Sequence, residues 1–242
     1  MEQECVIEET KGNIKIITLN RPRKKNAINN EIYIRVTKIL NDAATDDEIL
    51  IVVLTGTGDF YSSGNDFNAS NDVPVTDLSR NLREFINAFI RFPKILIAIV
   101  NGPAIGIAAT TLPLCDFVFA SENAYFYTPF TKLRIIAEGC STVTFPKLMG
   151  VRRAMEMLIM NYKMSAQEAL NCGLINYLHK NDELHVKAWD KITEISNLSP
   201  DSVLTTKRLI RKFDMDKLLE TNILELQELQ RIVKYSNLNS KL

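Results

Sequence analysis

Residues 134–145 read RIIAEGCSTVTF, and Glu138 stands there in a mostly apolar neighbourhood, followed by Gly139 and a run of small residues. An ionised carboxylate is costly to bury without a partner. Such a group is either a paired structural acid or a base with a task. Apolar surroundings predict a raised pKa and a stronger base. Arg134, the other charge of the stretch, would act in the opposite sense if it paired with Glu138.

Two small-residue loops offer the complementary chemistry. Ser63, Gly64, Asn65, Asp66 and Phe67 form the end of GDFYSSGNDF, and NGPAIGI at 101–107 leads into an apolar segment through Ile107. Glycine lets the backbone approach a ligand closely, and the start of a helix presents free N–H groups. Two such groups from separate loops, aimed at one point, would form an oxyanion hole. Other chemistries lack their signatures. NGPAIG has neither the spacing nor the lysine of a phosphate-binding P-loop. No G-x-G-x-x-G follows a strand, and no GxSxG elbow surrounds Ser62 or Ser63. His179 and His185 stand far from other ligand types, so no metal site is expected.

The elements that must position these groups alternate. Segments 14–20, 51–56 and 95–100 are β-branched and apolar, the pattern of buried strands. Residues 30–44 carry Val36, Ile39, Leu40, Ala43 and Ala44 at helical spacing, and 78–92 carry Leu82, Phe85, Ile86, Phe89 and Ile90. Residues 115–121 and 124–129 are expected strands. Beyond about 139 the chain is expected to be mostly helical, with Leu219, Ile223, Leu226, Leu229 and Val233 marking the buried face of a helix over 216–234. The fold class is α/β with a helical C-terminal portion.

Composition narrows the function. Lys plus Arg and Asp plus Glu balance at 29 each, so no global field favours nucleic acid, and an anionic ligand must be held by local groups. The four cysteines form no CxxC pair and are expected to be reduced thiols. Residues 95–115 carry no charge, but Asn101, Gly102 and Pro103 interrupt them, so a strand, a turn and a short helix are expected rather than a membrane span. The chain closes on Ser240, Lys241 and Leu242, a receptor-read peroxisomal address, which predicts the peroxisomal matrix and an import receptor as partner.

NRPRKKNAIN, GDFYSSGNDF, NGPAIG followed by LCD, and TPF…AEGCSTVTFPKLMG stand in an order and spacing that resemble the crotonase, or enoyl-CoA hydratase/isomerase, superfamily, most closely its peroxisomal Δ3,Δ2-enoyl-CoA isomerase group. The resemblance runs from about residue 6 into the C-terminal helices. It implies a crotonase-like spiral of ββα units over a single domain, 1–242, with a core to about 195 and a helical trimerisation region over about 196–242. It further implies an acyl-CoA substrate, no cofactor, and a homotrimer or hexamer. Carried over by motif, the oxyanion hole falls on the backbone amides of Asn65 and Ile107, and the base on Glu138. Arg23, Lys24 and Lys25 are candidate contacts for the phosphates of coenzyme A, with a solvated turn as the alternative. Lys207, Arg208, Arg211 and Lys212 are expected on a solvated helix face, and Asp66 and Asp116 are expected to hold loops.

The resemblance implies a double-bond shift from position 3 to position 2 of an enoyl-CoA in unsaturated fatty-acid β-oxidation. The hydratases of the superfamily use two glutamates, and by motif those positions hold Thr110 and Phe130 here. The group commonly has proline where Ala137 stands and often glycine at Arg134. Two rivals remain: a hydratase, and a non-catalytic acyl-CoA-binding or interaction module such as the crotonase-like domain of chromodomain Y-like proteins, which this chain also resembles.

Overall fold

The computed structural model describes residues 4–66 and 74–239; Phe67 and the Ser240–Lys241–Leu242 terminus lie outside the described residues. Strands β1 (Val6–Lys11), β2 (Ile14–Leu19), β3 (Ile51–Gly56), β4 (Ile95–Val100), β6 (Phe117–Ser121) and β9 (Tyr177–His179) form a six-stranded sheet in the order β1-β2-β3-β4-β6-β9. Strand β1 pairs antiparallel with β2, and every later pairing is parallel. IVVLTG and ILIAIV are buried at every position, as strands covered on both faces must be. By contrast, β1 is an edge strand with exposed Glu and Lys positions, which hides it from a search for apolar runs.

A second layer explains the spiral. Strands β5 (Ala104–Ile105), β7 (Tyr125–Tyr127) and β8 (Lys163–Ser165) form a small sheet. Single bridges extend it, Ser62 to Ala104 and Ile28 to Asn65, both parallel. After each large-sheet strand from β2 to β6 the chain therefore steps across to the small layer, at 28, 62–65, 104–105 and 125–127 in turn.

Helix α1 (Asn30–Thr45) is capped by the Asn29 side chain, which accepts from Ile32 N–H. It buries Val36, Ile39, Leu40 and Ala43, as its spacing predicts. Helix α2 (Val75–Arg91) buries Leu82, Phe85, Ile86, Phe89 and Ile90 beside it. Helix α3 (Ile107–Thr110) is short, and α4 (Ser141–Leu158) is broken at Gly150, which has φ 77°. Helix α5 (Ala166–Asn171) carries a Ser165–Glu168 capping box. On the outer face of the large sheet, α6 (Leu184–Ser196) packs Leu184, Ala188 and Ile192 on Ile51, Ile97, Ile99 and Phe119.

Two expectations for the C-terminal helices need correction. In α7 (Pro200–Arg211), Lys207 and Arg211 do not face solvent. Lys207 Nζ lies 2.6 Å from Asp116 Oδ2, and Arg211 Nη2 lies 3.3 Å from Asp116 Oδ1 and 2.9 Å from Cys115 O. Asp116 thereby ties α7 to the start of β6, and its Oδ2 also accepts Leu96 N–H at 2.8 Å. In α8 (Met215–Asn239), Ile223 is 47% exposed, because the face turned to α2 and α4 carries Leu218, Thr221, Asn222, Glu225 and Leu226. Three of these five residues are polar, so an apolar stripe alone does not locate the face.

Candidate active site

The first glycine loop is built on Asn26. This buried residue has φ 53° and uses its side chain to accept from Arg21 N–H and donate to Thr57 O and Phe60 O. Its carbonyl takes the Ser62 hydroxyl at 2.8 Å, and Ser62 Oγ in turn accepts Gly64 N–H. Ser63 N–H donates to Lys25 O, so the basic turn lies directly against the loop. Arg23, Lys24 and Lys25 are exposed, and Lys25 Nζ stands 5.0 Å over the Phe60 ring. Asp66 forms an ion pair of 2.9 Å with Arg21.

The bridge to Ile28 has a consequence for Asn65. Ile28 N–H donates to Gly64 O, and Asp66 N–H donates to Ile28 O, the two residues flanking 65. This parallel pattern turns Asn65's own N–H to the other edge. Neither that N–H nor the N–H of Ile107 has a hydrogen-bond partner among the described residues. Ile107 is the first residue of α3, where an N–H has no intrahelical acceptor. The two segments touch: a Cβ on Gly64, at φ +82°, would sit 2.6 Å from Ile105 O. No other residue type fits there.

Glu138 enters this corner from the other side. Gly139 has φ +70°, and a Cβ there would lie 2.4 Å from Thr110 Oγ1 and 3.2 Å from Ile107 Cδ1. Phe130 closes the corner, its ring 4.0 Å from where a Gly106 Cβ would stand. Glu138 is 1% exposed. Its Oε1 accepts from Asn65 Nδ2 at 3.0 Å, and its Oε2 has no hydrogen-bond partner among the described residues. Asn65 is itself oriented, because its Oδ1 accepts from the Tyr33 hydroxyl. Burial pushes the Glu138 pKa up to about 8; the Glu225 carboxylate pushes the same way, and the Asn65 amide opposes both.

Arg134 does not pair with Glu138: it is exposed, and its φ of 56° turns the chain away before residue 138. The sequence pattern marks Glu138, Gly64, Asn65 and Ile107, and these come together. Arg23, Lys24, Lys25 and Asp66 surround the loop but do not touch Glu138. The pattern gives no sign of Tyr33 or of Asn65's side-chain role, because both sit on elements legible only as core or turn.

Two grooves, of about 890 and 700 Å3, run along α7. Neither is lined by Glu138, Asn65 or Ile107. These grooves belong to the α7 surface. Among the described residues no three His, Cys, Asp or Glu side chains converge as a metal site, and no helix is long and apolar enough to cross a membrane.

The two-layer spiral of strands and helices is the crotonase fold. The profile of the enoyl-CoA hydratase/isomerase family matches residues 9–238, and the chain belongs to that family. It is similar to "Enoyl-CoA delta isomerase 3, peroxisomal" of Mus musculus, at 44% identity over 91% of this chain and 71% of that one. It is also similar to "Enoyl-CoA delta isomerase 2" of Homo sapiens, at 43% identity over 94% of this chain. The chain spans 59% of that relative's length. Among solved structures, an enoyl-CoA hydratase/isomerase from Pseudoalteromonas atlantica superposes with a TM-score of 0.90 at 29% identity, covering 95% of this chain and 92% of that one.

Proposed function

We propose that this chain is a Δ3,Δ2-enoyl-CoA isomerase of unsaturated fatty-acid β-oxidation. The observation that carries the reading is Glu138: a buried carboxyl with one oxygen held, the other without a partner among the described residues, and a pKa pushed up to about 8. In this reading the thioester oxygen of a 3-enoyl-CoA lies between the N–H groups of Asn65 and Ile107. Polarisation there acidifies the proton at C2, and Glu138 Oε2 removes it. The resulting dienolate places its charge on the thioester oxygen, against both donors. The same carboxyl returns the proton at C4, which moves the double bond into conjugation. The redox level is unchanged and one base serves both transfers, so no cofactor is required. Arg23, Lys24 and Lys25, exposed beside the loop, are the candidate phosphate contacts.

A hydratase needs a second carboxyl to handle water. Thr110 beside Gly139 and Phe130 beside Gly106 occupy the corner instead, and neither is acidic. A binding module needs no uncompensated base, so the state of Glu138 also favours an enzyme over that rival.

The same reading includes a homotrimer or hexamer. Phe213, Met160 and Ile210, at 85%, 74% and 69% exposure, supply apolar area for subunit contact. It also includes the peroxisome, supported by the name of the Mus musculus relative.

The test is an absorbance assay with trans-3-hexenoyl-CoA, following the conjugated thioester. Wild type is expected to convert it and Glu138→Gln to lose about 1000-fold or more in kcat. No conversion by folded wild type would overturn the isomerase reading, and equal rates would reject Glu138 as the base.

A further inference from the structure

Glu225 lies on α8, far from Glu138 in sequence, and is 5% exposed. Its Oε2 accepts Cys140 N–H at 2.8 Å. Its Oε1 accepts Thr142 N–H at 3.1 Å and the Thr142 hydroxyl at 2.6 Å. These donors belong to the turn that carries Glu138, whose carbonyl is held by the Ser141 hydroxyl at 2.7 Å. No Lys or Arg forms an ion pair with either carboxylate among the described residues. The titratable neighbours of the pair are Tyr33 from α1 and the Cys140 thiol in the turn.

We propose that Glu225 is a positioning residue for the base: it ties the 138–142 turn to the C-terminal helix and keeps a second carboxylate charge against Glu138. This rests on Glu138 being the base of the isomerase reading. The division of labour follows from hydrogen bonding. Burial pushes the Glu225 pKa up as well, but three donors oppose that shift where Glu138 has one, so Glu225 ionises first and Glu138 retains its proton to higher pH. The charge of Glu225 pushes Glu138 upward, the direction its burial already sets. A base of weak acidity suits a carbon acid, provided that it still ionises near the working pH. Helix α8 thereby sets the proton affinity of a site that its sequence does not touch.

The experiment titrates glutamates labelled with 13C at the carboxyl in wild type, Glu138→Gln and Glu225→Gln, alongside pH–rate profiles with trans-3-hexenoyl-CoA. In Glu225→Gln the Glu138 resonance, and the acid limb of kcat/KM, are expected to move to lower pH by about one unit, or about tenfold in relative rate on that limb. Glu225→Asp, which keeps the charge, is expected to hold the limb near its wild-type position. In Glu138→Gln, the main Glu225 titration is expected to stay in place, because Glu138 is neutral while Glu225 ionises, but the second, smaller step that the Glu225 resonance shows in wild type as Glu138 ionises must vanish. That arm needs no Glu225 variant to fold. Independent titration of the two resonances, or a uniform rate loss with an unmoved limb, would overturn the proposal. Coupled resonances in a wild type that does not isomerise would sink the function and leave the coupling intact.

Discussion

Asp116 and Glu138 are both carboxylates set among packed elements. Asp116 receives Lys207, Arg211 and the Leu96 N–H. Glu138 receives one amide from Asn65, while the charge that acts on it is another carboxylate, Glu225. The first arrangement compensates a charge in order to fasten α7 to the sheet. The second withholds compensation, which keeps a proton acceptor available. Removing one partner of a compensated buried group leaves the others stranded. Neutralising an uncompensated one removes a cost. The two sites should therefore respond to mutation in opposite ways.

The largest separation is expected at Glu138. Glu138→Gln removes about 1000-fold or more of kcat yet is expected to stabilise the fold at alkaline pH. The folded-state pKa of about 8 lies above the ordinary glutamate value of 4.5. Its contribution is therefore fully present below the unfolded pKa and is lost as pH rises through about 8. Thermal melts should show the variant above wild type by at least a few degrees at pH 8.5, with the gap closing toward pH 5. A lower melting temperature for the variant at both pH values would mean that the carboxylate is compensated after all.

Asp116→Asn should do the reverse. With Lys207 and Arg211 left against backbone carbonyls alone, the fold is expected to lose about 3 kcal/mol. The specific activity of the molecules that remain folded should stay within about twofold of wild type. Denaturant unfolding with parallel assays separates the two. A large drop in kcat without a stability loss would place Asp116 in the chemistry and remove the contrast.

How far the sequence foretold each site follows from the same difference. Glu138 is legible because its own neighbours are apolar, and the glycines of SSGND and NGPAIG mark where backbone must approach. Helices α1 and α2 are legible because their buried faces are wholly apolar. Strand β1 is not, since one edge of it pairs and the other is charged. Lys207 and Arg211 resemble a solvated face because their partner is 91 and 95 residues away in sequence. Glu225 is hidden for a related reason: α8 buries Thr221, Asn222 and Glu225 along with Leu218 and Leu226, and polar burial leaves no periodic signal.

Tyr33→Phe probes the orientation of the Glu138 site without touching its charge. The tyrosine hydroxyl fixes which way the Asn65 amide points, and the amide fixes Glu138 Oε1. Packing on Phe85, with ring centroids 5.0 Å apart, survives the substitution. The expected outcome is a loss of about tenfold in kcat with little change in KM. An unchanged kcat would show that Asn65 holds its orientation without the hydroxyl.

Arg134→Gly should produce the smallest effect. In sequence, Arg134 stands four residues before the base, close enough to suggest a pair that would weaken it. In the structure it is exposed, and the left-handed turn at 134 separates it from the buried carboxylate. Solvent screens what remains of its field, and exposed charges of this kind are worth about 1 kcal/mol or less. The acid limb of kcat/KM should stay within about 0.3 units of wild type and kcat within about twofold. A larger shift of the limb to higher pH would show that the guanidinium reaches Glu138 during turnover. The base would then have a cation within reach, as Asp116 does, and the contrast between the two carboxylates would become one of timing rather than of composition.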